Sequence, residues 1–268
     1  MVIGWRFARK PCKRCGMPEQ VLITELYAWL LIFCRVGSAM MLMPGIGEAQ
    51  ISPQARLLTA LFVSVVLSGP LASMIPPMPD SPPVLLLQLS GEIVAGVFLG
   101  TLARMLVSAL HVAGMVVSAQ SSLSSAMMFD ATQSSQSSPY GILMTMTAVL
   151  LFFLTDLHHA LLMAFADSYR WLHAGAWPDT GGMAREIGTA VDMAFRVGIQ
   201  LAAPTIAIAL LLNLAAGVLA RIVPNLQVFF LMMPIQISVV TYVFMMVFAA
   251  IMQWFLTYSE DAISGWGG

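Results

Sequence analysis

Apolar residues in this chain are gathered into long, nearly unbroken runs. Six reach the length of about 20 residues that a helix needs to cross a hydrocarbon core about 30 Å thick. They cover residues 20–43, 57–75, 84–117, 140–166, 187–221 and 225–258. The connectors carry helix breakers. Pro44, Gly45, Gly47 and Pro53 follow the first run, Pro76-Pro77 and Pro82-Pro83 the second, and Pro178, Gly181 and Gly182 the fourth. Only Arg221-Ile222-Val223-Pro224 separates the fifth from the sixth, which predicts a tight helical hairpin. The pattern as a whole predicts an all-α, polytopic membrane protein.

Three of the runs are too long for a simple crossing. The third, fifth and sixth extend to about 34 residues, or about 50 Å at a rise of about 1.5 Å per residue. They must tilt, kink or project beyond the bilayer. Pro204 and Pro234 fall inside two of them and are expected to kink the helices, since each removes a backbone donor from the ladder. Long interrupted helices suit a subunit packed inside a larger assembly better than a lone six-span bundle.

Composition removes the soluble alternative. Of 268 residues, 59% are hydrophobic and 9% charged, against roughly 45–50% and about 25% in soluble domains. The formal net charge is −1, from 12 Lys+Arg and 13 Asp+Glu, and five of the cations precede residue 15. No basic patch remains elsewhere to grip nucleic acid. The terminal cations would hold the N-terminus on the cytoplasmic side. Met17 opens the apolar region, so residues 1–16 read as a basic extension or a misassigned start, and 17–268 as a single helical membrane domain. The run 20–43 is longer than a signal-peptide core and lacks a small-x-small cleavage site, which favours a signal anchor. Cys12, Cys15 and Cys34 are too few for a disulfide framework, and Cys12 with Cys15 makes only one of the two half-sites that zinc usually takes. No cofactor or metal is expected.

Charges inside apolar runs cost about 2.5–3.5 kcal/mol each on insertion scales and therefore need partners or water. The chain places Glu25, Arg35, Glu92, Arg104, Asp156, Asp192 and Arg196 in this position. Glu92, Gly96, Gly100 and Arg104 recur every four residues, which predicts a common stripe on the third helix. Its small residues would admit a second helix at close range. Asp192 and Arg196 form an i,i+4 pair in the favourable order. These charges are read as glue between helices or subunits. The competing reading is an ion or proton pathway, for which Asp156 beside His158 and His159 is the best candidate. Adjacent helical side chains diverge by about 100°, so the two histidines are not expected to chelate together.

Residues 118–138 stand apart, with nine Ser and three Gln around the apolar island of Leu123 and Met127-Met128-Phe129. Such a segment is either a flexible external loop or an inward-folded stopper whose pliant thioethers close an opening. Enzyme signatures are missing: no HExxH, no GxSxG and no GxxxxGK[ST], and the serines lack a nearby base. No duplicated half with matching broken helices marks a secondary transporter.

The order of the punctuating residues resembles the FliR family, the export-gate membrane proteins of flagellar and related type III secretion systems. The similarity runs from about residue 20 to the C-terminus. It starts at Arg35, Pro44, Gly47, Pro53 and Arg56, and passes through Pro70, Glu92, Gly96, Gly100, Ala113, Gly114, Gln120, Phe129 and Asp130. Its most specific part is Ala203, Pro204, Asn213, Gly217, Arg221, Pro224, Gln227, Phe229 and Pro234. Two departures flank the odd segment: Ser121-Ser122 stand where the family commonly has Gly, and Asp130-Ala131 where it has Asp-Pro.

The resemblance implies one subunit, built of long kinked helical hairpins, in a helical gate assembly with several FliP-like and FliQ-like copies. FlhB-like and FlhA-like components and unfolded export substrates would be further partners, and the location the bacterial inner membrane at the flagellar basal body. It implies that 118–139 is a plug, with Gln120, Leu123, Met127, Met128, Phe129 and Asp130 in the gating role. It also implies that Arg35, Glu92, Gly96, Gly100, Arg104, Asp192, Arg196 and Arg221 serve as buried charges or subunit contacts. The rival reading is a small ion or solute transporter using Asp156, Asp192 and Arg196.

Overall fold

The computed structural model describes residues 18–48, 51–122, 138–222 and 228–266, and all regular structure among them is helical. The helices are α1 (Pro18–Leu42), α2 (Pro53–Leu71), α3 (Pro82–Gln120), α4 (Pro139–Leu154), α5 (Leu157–Trp171), α6 (Thr180–Ile222) and α7 (Val228–Trp266), with a single 3-10 turn at Ala72–Met74 after α2. Four of them open on a proline, at Pro18, Pro53, Pro82 and Pro139. A first-turn proline loses nothing, because its missing N–H would have had no intrahelical partner, and its fixed φ already suits the helix. Pro53 and Pro82, read as breakers between runs, are therefore also starters. Ser52 and Ser138 cap α2 and α4 by accepting the N–H of Ala55 and Gly141. Asp179 does the same for α6, accepting from Gly181 at 3.1 Å.

α3 is the central post. It packs most extensively against α6, α1 and α4, and 61% of its apolar span is buried against 22% for α6 and α7 and 17% for α2. Its 39 residues amount to about 58 Å of helix, so the over-long third run is a single unbroken helix. The same holds for α6 with 43 residues and α7 with 39. Pro204 and Pro234 lie within continuous helices and face outward.

Close contact on α3 is made possible by its glycines. A side chain at Gly96 would collide with the Arg35 carbonyl and the Ser38 hydroxyl of α1, and one at Gly100 would lie 2.6 Å from the Ala39 carbonyl. Farther along, the backbones of Gly114 in α3 and Gly141 in α4 are in direct contact. Buried side chains of α3, α4, α6 and α7 form one core around Leu110, Met144, Leu201 and Phe255. A second core, around Leu99, Phe152, Leu161 and Phe165, joins α3 to α5.

The fourth run departs from expectation. Read as one span over 140–166, it is a pair of helices bent by 76° at Thr155–Asp156. Thr155 ends α4 by giving its N–H to Leu151, and Asp156 adopts the left-handed conformation with φ 57°. Aspartate is one of the few residues that tolerates that region. Long apolar stretches lie on both sides of the short polar stretch Thr155–His159, so a hydropathy average over the length of a span runs straight through the break.

Candidate functional site

Two polar constellations stand out in this apolar bundle. The first is built on Arg35 of α1 and Glu92 of α3, which are 2% and 1% exposed. Arg35 Nε donates to Glu92 Oε2 at 2.6 Å and Nη2 to Oε1 at 3.1 Å, the bidentate geometry that suits a guanidinium best. Further hydrogen bonds hold the pair in place. Arg35 Nη1 donates to the Leu172 carbonyl at 2.9 Å and to Ser168 Oγ at 3.4 Å, while Glu92 Oε1 accepts the Gly175 N–H at 2.8 Å. The Tyr169 ring lies under the guanidinium, 3.8 Å from Cζ, a desolvated cation–π contact. A second polar link lies farther down the same seam, where Tyr27 donates to Gln88 at 2.6 Å. α1, α3, α5 and the connector after α5 thus meet at one satisfied charge pair.

Arg35 and Glu92 are both buried in the structure, and their mutual pairing was not legible in the sequence. The one signal for it was arithmetic: two opposite charges, each lodged in an apolar run, cannot both be buried alone. Gly96 and Gly100 take their expected place in the stripe. Arg104 does not, and is exposed. Each i+4 step falls about 40° beyond a full turn, so twelve residues carry Arg104 about 120° around the helix from Glu92. Asp192 and Arg196 form the expected pair at 3.2 Å, yet at 72% and 69% exposed they are a surface pair on α6. Arg221 is exposed in the last turn of the same helix, where a cation suits the helix dipole. Of the charges named as buried or as subunit contacts, Arg35 and Glu92 are buried within this chain, and Arg104, Asp192, Arg196 and Arg221 are exposed on it.

The second constellation lies where α3 ends and α4 begins. Ser118, Ser121 and Ser138 are buried. Ser138 Oγ donates to the Gly114 carbonyl at 2.9 Å and accepts the Gly141 N–H at 3.0 Å. Its single proton is thereby used, so Ser118 must be the donor in the 2.6 Å contact between the two hydroxyls. Ser121 donates to the Ser118 carbonyl, and Gln236 of α7 donates to the Gln120 carbonyl at 2.7 Å. Tyr140 meets Thr241 of α7 at 2.5 Å and packs edge-on against Phe244. The two ends of the Ser/Gln/Met segment are thus fastened together and to α7. Gln120 is half-buried at this root. Leu123, Met127, Met128, Phe129 and Asp130 lie outside the described residues, as do Cys12 and Cys15.

Asp156, the pathway candidate, stands at the α4–α5 bend with His159 Nδ1 3.4 Å from its carboxylate. The His158 and His159 rings converge to 4.1 Å rather than diverging.

Comparison with known proteins agrees with this architecture. The family described as Bacterial export proteins, family 1, matches residues 26–262. The chain is 32% identical to the flagellar biosynthetic protein FliR of Caulobacter vibrioides over 80% of its own length and 85% of that protein's. It is 29% identical to FliR of Bacillus subtilis, over 81% of this chain and 85% of that one. Identity to the Yop proteins translocation protein T of Yersinia pestis is also 29%, over 58% of this chain and 60% of the other. A match across nearly all described helices, together with the long apolar spans, places the chain in family 1 of the bacterial export proteins, the FliR family of non-enzymatic membrane components of export apparatus.

Proposed function

We propose that this protein is a structural and gating subunit of a flagellar export apparatus, and that its Ser/Gln/Met segment closes the channel through which unfolded substrates pass. The observation that carries the reading is the clamp at the root. Ser118 and Ser138 are hydrogen-bonded at 2.6 Å, so the intervening residues leave the central helix and return to the same point. A stopper must be held firmly at its base while its tip yields. Buried serines supply the first property and the methionines Met127 and Met128, with Phe129, the second.

The wide apolar flanks support an assembled state. α2 exposes Leu57, Leu58, Phe62, Val65 and Val66, and α7 exposes Ile235, Met245 and Met246, a surface fitted to lipid and to neighbouring membrane subunits. FliP-like and FliQ-like proteins in several copies are the proposed neighbours, with FlhB-like and FlhA-like components joining them at the inner membrane. Arg104, Arg221 and the Asp192–Arg196 pair are exposed where those subunits would meet them.

The composition of the native complex tests this. Tagged protein drawn in mild detergent from its own host should carry one copy of this chain with several copies of two smaller hydrophobic proteins. A clean monomer or a symmetric homo-oligomer would refute the assignment and leave a self-sufficient transporter as the reading to pursue.

A further inference from the structure

The bend between α4 and α5 brings together three metal-ligating side chains that the export function does not use. The left-handed turn at Asp156 sets its carboxylate beside the first turn of α5, 3.4 Å from His159 Nδ1. One ligating atom from each of Asp156, His158 and His159 lies within 4.8 Å of the other two. The His158 ring is held from behind by Phe153 of α4, with centroids 5.0 Å apart. Its Nδ1 is buried and has no hydrogen-bond partner among the described residues.

We propose that Asp156, His158 and His159 bind a first-row divalent transition-metal ion of the Zn²⁺ type, with the remaining coordination positions open. The 3.4 Å separation of Asp156 and His159 matches the edge of a tetrahedron with metal–ligand bonds near 2.0–2.1 Å, which is about 3.3–3.4 Å. Two imidazoles and one carboxylate select zinc, cobalt, nickel or copper over magnesium and calcium, which prefer all-oxygen shells. The site is reachable, since Asp156 is 78% and His159 67% exposed. It also lies on an apolar surface, with Leu150, Leu154 and Met163 exposed nearby in sequence. A bare carboxylate is costly in such surroundings, and a bound cation offsets that cost. The ion ties the carboxylate of the turn at Asp156 to the first turn of α5.

Cobalt titration tests the site. Full-length protein carrying a histidine-free tag and the Cys12→Ser and Cys15→Ser changes, which remove competing thiolates, is titrated with Co²⁺ in detergent. The expected result is one equivalent bound, visible ligand-field absorption, displacement by Zn²⁺ and none by excess Mg²⁺. His159→Ala should weaken binding at least about tenfold, while His173→Ala should leave it unchanged. Asp156→Gly keeps the left-handed turn, which glycine adopts freely, while removing the carboxylate, and should weaken binding to the same degree. Absence of saturable Co²⁺ binding overturns the proposal, as does binding that survives either Asp156→Gly or His159→Ala undiminished.

Discussion

Arg35 and Glu92 are 57 residues apart in sequence and face each other through two hydrogen bonds of 2.6 and 3.1 Å. Their side chains are almost wholly excluded from the surface. Neither charge could be buried here without the other. The pair is held on four sides, by α1, α3, α5 and the turn at Gly175, so it sets how these elements meet. Its worth lies more in fixing one arrangement than in raw stability.

Removing one member should therefore be far worse than removing both. Glu92→Ala, which leaves a guanidinium buried without its counter-ion, is expected to destabilise the bundle by about 3–5 kcal/mol. Arg35→Met combined with Glu92→Leu should recover most of that loss. Thermal unfolding in detergent measures the difference. A double variant no more stable than Glu92→Ala alone would show that the pair contributes more than mutual neutralisation.

Glycine substitutions should separate contact from mere flexibility. Gly96→Val drives a side chain into the Arg35 carbonyl and Ser38, so it should force α1 from α3 and reduce the amount of folded protein recovered. Gly188 has no atom within 4 Å of where a Cβ would stand. Gly188→Ala should thus be neutral or stabilise α6 by up to about 1 kcal/mol, the usual gain in helix propensity. Folded yield and melting temperature report both outcomes, and equal effects at the two positions would contradict the close crossing.

The serine clamp should behave as a coupled unit. Ser138→Ala removes the cap of α4 together with bonds to Ser118 and Gly114, at a cost of about 0.5–2 kcal/mol for the cap. A double-mutant cycle with Ser118→Ala should return a coupling on the order of 1 kcal/mol. Additive losses would mean that the two hydroxyls act independently.

Asp192 and Arg196 supply the contrast. Their bond is exposed and lies along one helix, so a cycle between Asp192→Asn and Arg196→Gln should yield only about 0.3–0.5 kcal/mol. A larger coupling in the isolated protein would point to a less hydrated setting for this face.

Much of this fold is legible in the amino-acid sequence, because in a membrane chain length and hydropathy dictate helices. Pro18, Pro53, Pro82 and Pro139 mark four of the starts within a few residues. The bend at Asp156 is hidden because the polar stretch Thr155–His159 is short beside the apolar residues around it, while the left-handed turn within it changes the chain direction by 76°. The Arg104 expectation fails for a simpler reason, since a four-residue repeat drifts around a helix of 3.6 residues per turn. The Arg35–Glu92 pair and the Gln236–Gln120 link depend on which helices become neighbours. Periodicity within one helix carries no information about that. Family resemblance points to the Ser/Gln/Met segment, and its clamped root emerges only from the packing of Ser118 against Ser138.

The sealing role stands or falls on ion permeability. The complete gate, lacking residues 123–137 but retaining Ser118, Ser121 and Ser138, should be reconstituted into ion-loaded vesicles beside the wild-type complex. The variant is expected to assemble with its partners and to leak ions, because the root survives and the stopper is gone. An assembled variant as ion-tight as the wild type would contradict the account and move the seal to another part of the apparatus.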